Sequence, residues 1–246
     1  MKKLSHISTL HSCKLIFRSL LLLAAAASYL LGRIPQTLGW TNGILGIIWC
    51  VYALEMLLRF FPSSWESMGN QKQFVRNHRP TGRPVEKPSA KPVLLTAAVW
   101  LAPNLIIMGL YQAGVLDAGL LLLLCLAYGV CDMICILFFC PFQSWILKNQ
   151  CCGTCRIYNW DYAMMFTPLA VVPGLYSRSL IGLGLALLVQ WEICYHRHPE
   201  RFFASSNGSL SCAACQEKLC QHKRQLQRYL VRYRAAQQNA KSKATH

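Results

Sequence analysis

Thirteen of the 246 residues are cysteine, and their spacing is where chemistry could reside. One group is Cys151-Cys152-Gly153-Thr154-Cys155, and a second is Cys212-Ala213-Ala214-Cys215 followed by Cys220 and His222. Each contains a CxxC. Two thiolates from one such turn can bind a single ion, and two turns complete a tetrahedral zinc site or supply four thiolates to an iron–sulfur cluster. The candidate ligands are therefore Cys151, Cys152, Cys155, Cys212, Cys215, Cys220 and His222. Zinc is the simplest cofactor for them and an iron–sulfur cluster the alternative, although neither run has a ferredoxin spacing. Disulfide exchange at Cys152 and Cys155 is a weaker expectation, because a thioredoxin-type CxxC belongs at a strand–helix junction.

A further set lies inside an apolar stretch. Cys131 and Cys135 are four residues apart, so a helix puts them on one face, with Asp132 adjacent and Cys140-Pro141 at the end. Soft ligands in such a place suit copper or zinc transport, against the plainer role of small packing residues, which is the one expected for Cys13, Cys50 and Cys125. Glu55, Asp132 and Glu192 also fall in apolar segments, where an ionisable group needs a partner. Arg59 is one turn from Glu55, and Arg18 or Asn104 are candidates for Asp132. Asp161 is expected to cap a helix or to orient a ligating histidine.

The elements that must position these residues are dictated by the solvent the composition requires. Hydrophobic side chains make up 54% of the chain and charged ones 14%, against roughly 25% charged in soluble domains. Apolar runs cover Leu15 to Leu31, Trp40 to Phe61, Pro92 to Val115 and Ala118 to Cys140, each long enough for a transmembrane helix. The stretch from Asp161 to Tyr195 is too long for one span and is interrupted by Pro168, Pro173, Gly174 and Ser177 to Ser179. Two short spans, Tyr162 to Tyr176 and Leu180 to Tyr195, are expected there, with a re-entrant hairpin as the alternative. The run from Leu20 to Leu31 is read as a retained first span rather than a cleaved signal.

Six spans place 23 of the 25 lysines and arginines on one side, leaving only Arg33 and Arg178 on the other. By the positive-inside rule that side is cytoplasmic. The expected fold is thus an all-α integral membrane bundle of about six transmembrane helices, N-in and C-in, in the plasma (inner) membrane. Residues 1–61 carry two spans, 62–91 a proline-rich basic loop read as a flexible linker, and 92–195 four more spans around the cysteine-rich loop 141–160. Residues 196–246 form a basic tail, in which Lys223, Arg224, Arg228, Arg232 and Arg234 line an amphipathic helix. The net charge of +16 then serves anionic lipid headgroups rather than nucleic acid. A protein partner or a second copy is compatible with this layout. No phosphate-binding loop, HExxH helix or GxSxG turn is present, so the common nucleotidase and hydrolase mechanisms lack support. The Asn207-Gly208-Ser209 sequon falls on the cytoplasmic side of this topology.

Overall fold

A computed structural model describes residues 6–34, 38–40, 42–85, 88–149, 151–215 and 217. Cys220, His222 and the segment expected to form a basic helix with Lys223, Arg224, Arg228, Arg232 and Arg234 lie outside the described residues. The described chain is helical, with seven α-helices and no strand: α1 (His6–Leu30), α2 (Gly43–Leu58), α3 (Met68–Gln71), α4 (Lys91–Gln112), α5 (Ala118–Leu137), α6 (Asp161–Met165) and α7 (Leu175–Arg197). Short 3-10 and π-helical turns fill the connections.

Four helices, α1, α4, α5 and α7, are long and apolar enough to cross a membrane, and α2 is a shorter apolar helix. Only 11% to 44% of their most apolar stretches is buried, and Leu94, Leu105, Ile106, Leu185 and Val189 face outward. Apolar surface of this extent calls for an apolar surrounding, and the four helices point to a membrane protein.

Local chemistry sets the helix ends. Asn42 accepts a hydrogen bond from the Ile44 amide at the start of α2, and Asp117 accepts one from Leu120 at the start of α5. Pro92 sits in the first turn of α4, and Gly114, at φ +73°, reverses the chain between α4 and α5. Val172, Pro173 and Gly174 make the break before α7, with Gly174 at φ +121°. The sequence expectation put that break at Ser177 to Ser179. Those residues instead lie in the first turn of α7, where Ser179 bonds back to the Tyr176 carbonyl and accepts from Trp49. The expected span Tyr162 to Tyr176 is the short α6 continued by a 3-10 turn, Thr167–Val171, and α7 is one uninterrupted helix.

Contacts fix how the ends pair. Tyr29 near the end of α1 donates to Asp117 at the start of α5 (2.6 Å), so α1 and α5 run antiparallel. Tyr176 at the start of α7 donates to the Leu45 carbonyl (3.0 Å) near the start of α2, so those two run parallel. Asp161 at the start of α6 pairs with Arg59 at the end of α2 (2.7 Å), and Gly174 lies beside Leu38, which precedes α2. Residues 161–174 therefore carry the chain the full length of α2.

At the centre of this bundle sits Arg18, 1% exposed. Its guanidinium donates to Glu55 (2.5 Å), to the Tyr162 hydroxyl (3.1 Å) and to the Gly129 carbonyl (3.1 Å), and lies 3.7 Å from Asp132. Tyr162 also donates to Glu55 (2.8 Å), and Lys14 approaches its second oxygen (3.5 Å). Glu55 is thus paired across helices, not with Arg59 on its own helix. Removing one side of a buried ion pair strands the other. Arg18→Met is expected to lower unfolding stability in detergent by about 3 kcal/mol or more, and Arg18→Met/Glu55→Gln to recover part of that loss. A double variant less stable than Arg18→Met would contradict the pairing.

Candidate functional site

One face of α5 presents Tyr128, Cys131, Asp132, Cys135 and Ile136 at helical spacing, and α6 presents Asp161, Met164 and Met165 in the same way. Between them lies a cavity of about 150 Å³, closed by Trp100 of α4, Phe142 and Gln143 of the turn after α5, and Cys152, Cys155, Ile157 and Tyr158 of the following loop. Five thiols therefore line one space: Cys131, Cys135, Cys140, Cys152 and Cys155.

The chain's behaviour after α5 makes this possible. Pro141 has no amide hydrogen to continue a helix, and residues Phe142–Ile146 form a π-helical turn. Before that turn, α5 ends in a wide turn with the Phe139 amide on the Ile134 carbonyl (3.3 Å), which leaves Cys140 against Cys135, and their thiols hydrogen bond to each other. The Gln143 amide donates to the Cys140 sulfur (3.4 Å), while the Cys152 thiol donates to the Gln143 side-chain oxygen (3.2 Å). Two polar atoms among the cavity-lining residues are buried with no hydrogen bond, Asp132 Oδ2 and Trp100 Nε1. Arg18 NH1, 3.7 Å from Asp132 Oδ2, is the nearby cation, whereas Asn104 is engaged with Tyr128 and the Trp100 carbonyl. Asp161 faces Arg59, which also lies 4.5 Å from the Tyr162 ring centroid, and makes no cap hydrogen bond.

The loop holding Cys152 and Cys155 is itself held by a folded cap. Residues Ser63 to Thr81, expected as part of a flexible linker, pack against this loop and the segment after α7. Ser67 caps α3 by accepting from Gly69 (3.0 Å), and Glu217 accepts from the Ser67 hydroxyl (2.7 Å) and the Met68 amide (2.6 Å). A Cβ at Gly69 would stand 2.4 Å from the Tyr158 ring, so only glycine permits this approach. Asn159 donates to Asn70 (2.6 Å), and Asn207 accepts from the Arg79 amide (3.1 Å). Such polar side chains supply no apolar periodicity, and hydrogen bonds between segments distant in sequence order them.

Lys72 is the centre of the cap. Fully buried, it donates to the Gly153 (3.1 Å) and Cys155 (2.7 Å) carbonyls, with the Trp191 and Phe202 rings 5.1 and 5.6 Å away. Burial lowers its pKa from 10.5 to about 8, opposed by the neighbouring Cys155 and Cys151 thiols. Burial also pushes the Cys155 thiol up, with the Lys72 ammonium opposing it. Cys155 is thus biased toward the thiol, unlike the activated thiolate of a disulfide oxidoreductase. Glu217 is raised by burial as well, against its bonds to Ser67 and Met68.

Of the seven expected ligands, Cys152 and Cys155 line the cavity. Cys151 lies beside Thr154 (3.7 Å), Cys212 is exposed and Cys215 half-buried. Among the described residues, no three His, Cys, Asp or Glu side chains converge closely enough to hold one metal ion. Glu192 is paired with Arg156 and accepts from Trp160 (2.7 Å), while the Arg156 guanidinium lies 3.6 Å from the Tyr195 ring centroid. Compared with known families, characterised proteins and solved structures, the chain matches none. Residues that sequence reasoning passed over are Lys72 and Trp100. Neither stands out in type or spacing.

Because the folded state holds Lys72 with a pKa below its unfolded value, the unfolded chain binds more protons between about pH 8 and 10.5. Stability contributed by this group therefore rises with pH across that window, by roughly 3 kcal/mol at most. The melting temperature of the wild type relative to Lys72→Met should climb from pH 8 to 10.5. A flat or falling difference would contradict the buried ammonium.

Proposed function

We propose that this is a multi-pass membrane protein that binds a soft metal cation in the cavity beside α5. The observation that carries the reading is that five thiols, from α5, the turn after it and the following loop, line one space, with a buried carboxylate oxygen that makes no hydrogen bond. Thiolate and thioether sulfurs select copper(I) and zinc over hard cations, and Met164 and Met165 add two thioethers to the lining. Asp132 and the paired thiols Cys135 and Cys140 replace the loop-and-tail cluster as the centre of the site. Of the tail ligands, exposed Cys212 and half-buried Cys215 are then available to deliver or receive the ion.

The topology proposed with it is six crossings, N-in and C-in, in the plasma membrane. The alternating directions of α1, α2, α4, α5, residues 161–174 and α7 support it, as does the placement of nearly all basic residues on one side. The cavity then opens in the cytoplasmic half, under the cap built on Lys72. The basic tail meets anionic headgroups on that face.

Metal content of protein purified anaerobically from vesicles loaded with copper(I) or zinc tests both parts. About one soft ion per chain is expected, lost on Cys131→Ser/Cys135→Ser/Cys140→Ser/Cys152→Ser, with Cys212 labelled by a charged thiol reagent from the cytoplasmic side alone. Metal-free protein with all thiols reduced would overturn the binding reading, and labelling of Cys212 from the opposite side the topology.

A further inference from the structure

The cavity's donors do not converge evenly, and the unevenness bears on which ion they suit. Zinc takes three protein ligands and a water, or four protein ligands, in a tetrahedron. Among the described residues no three donors of that kind come together, whereas Cys135 and Cys140 are in direct thiol-to-thiol contact. A pair of thiolates is a complete site for a monovalent d10 ion, which tolerates two soft ligands in a line. The two positions are held differently: Cys135 by the last turns of α5, and Cys140 by the wide turn that ends α5 and the Gln143 amide at 3.4 Å.

Resting on the cation-binding reading above, the geometry points to Cys135 and Cys140 as a two-coordinate site for copper(I). The ion displaces one proton from each thiol, so that a copper(I) ion and two thiols give a bis-thiolate of charge −1 and two protons released to the aqueous phase. No oxidant or reductant is involved. The Arg18 and Arg59 guanidinium groups are already paired with the cavity carboxylates Asp132 and Asp161, so the positive charge of the copper(I) ion itself offsets one of the two thiolates. Cys152, hydrogen bonded to Gln143 (3.2 Å), lines the same cavity and can take the ion from the pair by thiolate exchange.

Anaerobic titration of full-length protein in detergent with copper(I), against a chromophoric copper(I) chelator, tests the assignment, with a parallel zinc titration. Wild type should bind about one copper(I) per chain, and Cys135→Ser and Cys140→Ser should each weaken it by more than about 100-fold. Cys212→Ser/Cys215→Ser should not. X-ray absorption should show two sulfur neighbours. Melting temperatures within the wild-type range establish that the serine variants are folded, and Cys135→Ala serves in place of a serine variant that is not. Copper(I) binding unaffected by either serine variant, or zinc bound through four donors in place of copper(I), overturns the copper pair while leaving the cation reading intact. No binding of either metal by fully reduced wild type overturns both.

Discussion

A single guanidinium inside an apolar bundle constrains most of what surrounds it. Arg18 cannot be left alone in a low-dielectric interior, because an unpaired buried charge costs several kcal/mol. Its partners come from three other helices: Glu55 from α2, Gly129 and Asp132 from α5, and Tyr162 from α6. Satisfying Arg18 therefore fixes the register of four helices at once. Apolar side chains, which pack almost equally well against one another or against lipid, specify register far less strictly.

The second constraint acts from outside the bundle. The cap holds the cysteine loop through Lys72 and its two carbonyl acceptors, and Glu217 reaches back to the start of α3. Removing either contact leaves buried polar groups without partners, which costs more than the bond itself contributes. The cap thereby closes the cavity at the Cys152–Cys155 side, and α5 with Pro141 closes it at the Cys135–Cys140 side.

The long apolar helices were legible because length and hydropathy encode them directly, and α4 and α5 match the expected stretches to within a few residues. The chain break was misplaced because Ser177 to Ser179 read as polar punctuation, whereas Trp49 absorbs the Ser179 hydroxyl inside the bundle. The helical face shared by Cys131 and Cys135 was also visible from spacing, and of the two candidates for Asp132, Arg18 lies 3.7 Å away while Asn104 is engaged with Tyr128 and Trp100. What spacing could not convey was the wide turn that ends α5, with the Phe139 amide on the Ile134 carbonyl, which leaves Cys140 against Cys135. Nor could it show the role of Ser63 to Thr81, where order comes from hydrogen bonds to residues more than 80 positions away. Glu55 went to the nearest cation in sequence, but the nearest in space is on another helix.

The proposed site needs Cys135 and Cys140 in contact beside the cavity. Short bifunctional thiol cross-linking in native membranes, on variants that keep only two cysteines, measures this most directly. The Cys135/Cys140 pair should link rapidly and completely, and Cys152/Cys212 should not. Rapid linkage of Cys152 to Cys212 with none between Cys135 and Cys140 would contradict the cavity and return the site to the membrane surface.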